Sequence, residues 1–99
     1  MKLRIQSVNF DATDKLEAYI EKKSKKLEKF NDEILSKDFY LKVVKPETAA
    51  NKQADIKVAA PGVEFFASKT CDTFEEAIDL GLEAIEKQMI KFKQKSAKK

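Results

Sequence analysis

Wound at roughly 100° per residue, residues 74–92 bring Phe74, Ile78, Leu82, Ile85, Met89 and Phe92 onto one stripe. A helix of that length with a single apolar side must lay it against a broad partner, and a sheet with one apolar face fits. Asp72-Thr73-Phe74-Glu75 reads as the start of this helix, a capping box with Asp72 as the cap and Glu75 as its acid. Lys87, Lys91, Lys95 and Lys98 fall nearly opposite the stripe. Gly81 lies beside the stripe. Its missing side chain either lets a neighbour approach closely or is simply tolerated at a cost of about 1 kcal/mol.

The flat partner is legible upstream. Leu3 and Ile5 alternate with Lys2, Arg4 and Gln6, the period of a strand with one buried face. Residues 9–13 break the alternation, and Thr13 is positioned to cap a helix over residues 14–30 with Leu16, Tyr19, Ile20, Leu27 and Phe30 inward. Residues 31–37 read as a polar linker with Ile34 and Leu35 tucked in. Phe39, Leu41 and Val43 form a second strand that stops before Pro46, and residues 46–53 form a loop. Residues 54–59 and 63–70 alternate on either side of Pro61-Gly62 and should pair as a hairpin. The order β-α-β-β-β-α predicts an α+β fold, two helices packed on one face of a four-stranded sheet.

Ninety-nine residues suit a single domain, taken as residues 1–95 with 96–99 as a basic, disordered tail. No apolar run reaches the length of a membrane span, and the first residues lack a signal peptide's apolar stretch. A single cysteine, Cys71, permits no internal disulfide and suits a reducing cytoplasm. It reads as a small buried thiol. Histidine is absent, which removes the usual general base near neutral pH and the commonest partner for a cysteine nucleophile. Two glycines cannot make a phosphate-binding loop, and the acids of the last helix read as a solvated face. The expectation is a binding protein with no enzyme activity, cofactor or metal.

Charge is distributed unevenly. The chain carries +3 overall, yet residues 31–86 carry −6 and residues 87–99 carry +6. On the first helix Lys22, Lys25, Lys26 and Lys29 project within about 100° of one another. Lys23 falls in the apolar stripe, its stem expected along the sheet edge with the ammonium in water. Two basic clusters on adjacent helices suit an anionic surface such as RNA phosphate, although the second could equally be a solubility tail. Arg4, Tyr40, Lys42, Lys57 and Phe66 fall on the sheet face away from the helices. There they form either a stacking surface for single-stranded RNA or, for Tyr40 and Phe66, a cross-strand pair. A general double-stranded-RNA binder and a protein-interaction module using the open sheet face stay in play beside a more specific RNA partner.

Ile5 to Thr13 leads to Lys23-x-x-Lys26-Leu27-Glu28-Lys29, then come Leu41-Lys42-Val43 and Ala54-Asp55-Ile56-Lys57-Val58. Phe65-x-Ala67-Ser68, Asp72-x-Phe74-x-x-Ala77-Ile78-Asp79 and Lys87-Gln88-Met89 with Lys91, Lys93 and Lys95 follow in order. With these stretches the chain resembles, over nearly its whole length, the short form of the ribosome hibernation-promoting factors, also called ribosome-associated inhibitor or sigma-54 modulation proteins. The resemblance implies a fold similar to the double-stranded-RNA-binding domain and binding to ribosomal RNA of the small subunit. It places the protein in the channel of messenger and transfer RNA, where occupancy blocks translation in stationary phase or stress. It also implies a cytoplasmic protein, monomeric when free and without membrane contact. Candidate RNA-binding residues are Arg4, Lys22, Lys23, Lys25, Lys26, Lys29, Lys87, Lys91, Lys93 and Lys95. Two positions depart from the family's habit: Ala84 where a lysine is common, and Arg4 where a polar residue such as asparagine is usual. The sequence ends at Lys99 without the dimerisation domain of long forms, so pairing of ribosomes would require another factor.

Overall fold

Alternating apolar residues do become strands, and each runs further than the alternation alone predicts. The computed structural model describes residues 2–8, 13–29, 33–44 and 50–97, the side chains of 94–97 excepted. The elements are β1 (Lys2–Val8), α1 (Asp14–Ser24), a 3-10 helix (Lys25–Lys29), β2 (Ser36–Val43), β3 (Lys52–Ala60), β4 (Val63–Cys71) and α2 (Phe74–Ala97). This is the expected α+β order. The expected break at residues 9–12, Phe30 at the end of the first helix, the start of the linker, residues 46–49 of the expected loop, and Lys98 and Lys99 lie outside the described residues, while Lys52 and Gln53, read as loop, already belong to β3.

The sheet runs β1-β2-β3-β4. β1 and β2 are parallel, joined by the helical crossover, whereas β2–β3 and β3–β4 are antiparallel. Pro61-Gly62 closes the β3–β4 hairpin between paired Ala60 and Val63. Proline holds φ near −65°, which rules out the primed turns that need a positive φ at that position. Gly62 supplies the required positive value instead, at 75°.

Leu16, Ile20, Phe39, Leu41, Ile56, Val58, Ile78, Leu82 and Ile85 form the core between helices and sheet. Gly81 is buried at that junction. A Cβ built there would lie 2.6 Å from Ile56 Cδ1, so its missing side chain is what lets α2 approach β3. Thr13 caps α1 as expected, its hydroxyl accepting from the Leu16 N–H.

Several details differ from the sequence reading. The cap of α2 is Thr73, not Asp72: the Thr73 hydroxyl accepts from Glu76 N–H, which makes Glu76 the third helical residue in place of Glu75. Asp72 instead accepts from Ala50 N–H at 2.7 Å, tying the approach to β3 to the start of α2. Ile34 is buried, but the Leu35 side chain is 58% exposed. The backbone of Leu35 is nevertheless held, its N–H donating to Ala59 and its carbonyl accepting from Lys2. Lys37, read as linker, is the second residue of β2 and is buried. Phe92 keeps contact with the core through an edge-on approach to Phe65, ring centroids 5.8 Å apart, but is 41% exposed. The first helix tightens to 3-10 geometry at Lys25 and does not run as α-helix through residue 29.

Candidate nucleic-acid interface

The two helices run in the same direction. The Tyr19 hydroxyl donates to the Asp79 carboxylate at 2.7 Å, and seven residues on in each helix Lys26 Nζ lies 3.2 Å from Glu86 Oε1. Both contacts advance along both helices together, so the C-terminal ends, where the lysines concentrate, lie at the same end of the molecule.

The lysines are not equivalent. Lys23 is half-buried with its ammonium 5.5 Å from the centre of the Tyr19 ring, so it serves the helix–helix seam rather than the sheet edge. Lys26 is committed to Glu86, whose Oε1 is buried and receives charge from Lys26 without an aligned hydrogen bond. Lys87 is exposed and sits 3.6 Å from Glu83 one turn back, a pair worth a few tenths of a kcal/mol. Lys22, Lys25, Lys29, Lys91 and Lys93 are exposed, and none has an acidic partner within ion-pair distance among the described residues. At roughly 100° per residue, Lys87 points nearly straight away from the core. By the same rotation Lys91 turns toward the β4 flank, and Lys93 follows Asp79 and Glu86 toward α1. Lys95 is on α2, its side chain beyond the described ones.

Arg4 is on the opposite side of the sheet. Its Nε donates to Asp38 Oδ1 at 2.8 Å across the β1–β2 register, and this hydrogen bond, with the carboxylate charge, raises the guanidinium pKa further. Other groups of the open face are paired too, with Lys57 3.4 Å from Glu64, and Asp55 accepting from Gln53 and Ser68. Tyr40 and Phe66 are not a cross-strand pair, because β3 lies between their strands: Tyr40 faces Asp55, and Phe66 faces Lys57. Lys2 and Lys42, exposed on this face, have no acidic partner among the described residues, but most of the unpaired positive charge is on the helical side.

Three features of this side escaped the sequence reading. Tyr19 joins the helices, and burial, then the Asp79 hydrogen bond, push its pKa up to about 12. Lys37 reaches under α1, with Nζ 3.2 Å from the Ser24 carbonyl and 3.3 Å from its hydroxyl. Burial lowers the Lys37 pKa, partly offset by Glu28. Continuing the alternation of Phe39 and Leu41 two residues back would have put Lys37 on the helix side. Gln88 of α2 bonds both the N–H and the carbonyl of Phe66, covering the outer edge of β4. Cys71 is a buried thiol as read, its pKa raised first by desolvation.

The profile of the family described as sigma 54 modulation protein / S30EA ribosomal protein matches residues 3–97. The chain belongs to this family. Solved structures agree with the S30EA assignment. A ribosomal subunit interface protein from Coxiella burnetii superposes with a TM-score of 0.85 over 95% of this chain and 99% of its own, at 24% identity, a likeness of fold. The N-terminal domain of Protein Y from Thermus thermophilus gives a TM-score of 0.81 at 25% identity, covering 93% of this chain and 99% of that one. Among curated proteins nothing matches. Among the described residues no helix is long and apolar enough to cross a membrane.

Proposed function

We propose that this protein binds the small ribosomal subunit in the channel of messenger and transfer RNA and stops translation by occupying it, its helical lysines holding ribosomal RNA phosphates. Membership of the S30EA family supplies the coarser part, a ribosome-associated protein of hibernation and translation regulation. The names of the structural neighbours, a ribosomal subunit interface protein and Protein Y, point the same way.

The observation that supports the finer reading is the parallel pair of helices. It brings Lys22, Lys25 and Lys29 to the same end as Lys91 and Lys93, all exposed and without acidic partners among the described residues. Lysine–phosphate contacts supply affinity and orientation but no base readout, which suits a factor that recognises a fixed RNA surface by shape. Lys23 and Lys26 contribute to the same surface while serving the helix seam, and Lys87 contributes from the outer face of α2. Arg4, on the far face and paired with Asp38, is the weakest of the ten candidates. We take residues 1–95 as the binding domain of a cytoplasmic protein that is monomeric when free.

Sedimentation with purified small subunits tests this. Co-migration at low salt, lost at high salt and abolished by charge reversal of Lys22, Lys25 and Lys29, is the expected result. A protein that stays at the top of the low-salt gradient would overturn the reading.

A further inference from the structure

Lys37 is one of the few charged residues the fold buries, with only 2% of its surface exposed. A buried ammonium is costly unless its hydrogen bonds are supplied. Here three oxygens surround it: the Ser24 carbonyl, the Ser24 hydroxyl, and Glu28 Oε2 at 3.9 Å. Two of these belong to the last residue of α1, and the third belongs to the 3-10 helix that follows it. The lysine comes from β2, so a strand residue holds the point where one kind of helix becomes another.

That change sets directions. An α-helix turns about 100° per residue and a 3-10 helix about 120°. Ser24 and Leu27 are both fully buried, three residues apart. In 3-10 geometry they stack one above the other, and Leu27 drops into the core. Continued α-helix would also keep Leu27 on the stripe of Leu16 and Ile20, so the turn matters most beyond it: five residues past Ser24, 3-10 geometry carries Lys29 about 100° from its α-helical direction. Lys25 has backbone angles of φ −62° and ψ −28°, inside the 3-10 range. The terminal carbonyls of a helix are free to take outside donors, and the Lys37 ammonium draws the Ser24 carbonyl inward toward β2. With Leu27 inward, Lys25 and Lys29 are exposed and Lys26 reaches Glu86.

We propose that Lys37 is a positioning residue for RNA binding: its hold on Ser24 selects the 3-10 turn and thereby aims Lys25, Lys26 and Lys29. This rests on the reading above that the lysines of this segment grip RNA. Lys37 touches no RNA itself, and it acts through the segment it orders. Its replacement therefore alters binding without removing any contact charge.

Lys37→Met keeps length and apolar bulk but removes the donor. Three measurements on the full chain decide the matter: amide hydrogen exchange, affinity for purified small subunits, and the slope of log affinity against log salt. The expected variant is folded, with faster exchange confined to residues 25–29. Its affinity falls about tenfold, and its salt slope is shallower by about one to two, the signature of lost phosphate contacts. If Lys37→Met melts below the assay temperature, Ser24→Ala takes its place. It removes one acceptor, leaves the charge, and should shift the same three readouts in the same direction. Wild-type affinity and slope in the positioning variant, alongside weakened binding in a Lys25→Glu, Lys29→Glu double variant, would overturn the proposal and leave the RNA reading standing. Unchanged binding in the double variant would overturn the RNA reading itself, and the positioning role with it.

Discussion

Gly81 shows how a single missing methyl can matter more than helix propensity. Alanine would gain up to about 1 kcal/mol as a better helix former. It would also drive a Cβ to 2.6 Å from Ile56 Cδ1, and Ile56 is fully buried among core side chains. Overpacking of this kind costs about 1–3 kcal/mol. Gly81→Ala should therefore lower the unfolding free energy by about 1 kcal/mol in urea titration, against the direction propensity alone predicts. Thr73 and Asp72 make a sharper contrast. Thr73→Ala should cost about 1 kcal/mol because it removes the hydroxyl that receives Glu76 N–H. Asp72→Ala should leave α2 capped and instead release Ala50, so faster amide exchange at Ala50 is the measurement that separates the two. Sequence favoured Asp72 because aspartate is a strong cap. The choice between adjacent cap residues depends on where the preceding strand ends, and β4 runs one residue further, to Cys71, than its alternation indicates.

At the scale of elements, the two ends of the sheet are treated differently. The outer edge of β4 carries the bidentate Gln88 contact to Phe66, whereas β1 is the opposite edge strand. An open strand edge is a template for another chain. Gln88→Ala should cost roughly 1 kcal/mol and raise concentration-dependent self-association, read by light scattering at fixed ionic strength. What the sequence discloses at this scale is what repeats locally. The stripe from Phe74 to Met89, the alternation of Phe39 and Leu41, and the Pro61-Gly62 turn each depend on neighbours a few residues away, and all three appear in the structure. The contacts of Lys37, Gln88 and Asp72 join residues 13, 22 and 22 apart, and nothing local signals them. The candidate site divides the same way. Its lysines could be named from the chain, but which of them are committed to the seam depended on the packing of α1 against α2.

For the molecule as a whole, the seam between the helices makes stability respond to alkali. Tyr19 has its pKa raised from 10.0 to about 12, chiefly by burial and by its bond to Asp79. The folded state then keeps a proton that the unfolded state gives up, so the contribution is present below pH 10 and lost as pH rises through about 12. Tyr19→Phe lacks this titration. The stability gap between wild type and variant should narrow steadily above pH 10 in denaturant titrations, and a gap that stays constant would show that the phenol is not coupled to folding. The same parallel arrangement has a further electrostatic consequence. Each α-helix carries the equivalent of about half a negative charge at its C-terminal end. Antiparallel neighbours would set opposite ends together, but here both C-terminal ends point the same way among the lysines, α1 stopping at Ser24 and α2 running on to Ala97. Part of the positive charge in this region is therefore spent on the protein's own backbone dipoles, and an approaching phosphate meets a weaker field than the lysine count suggests.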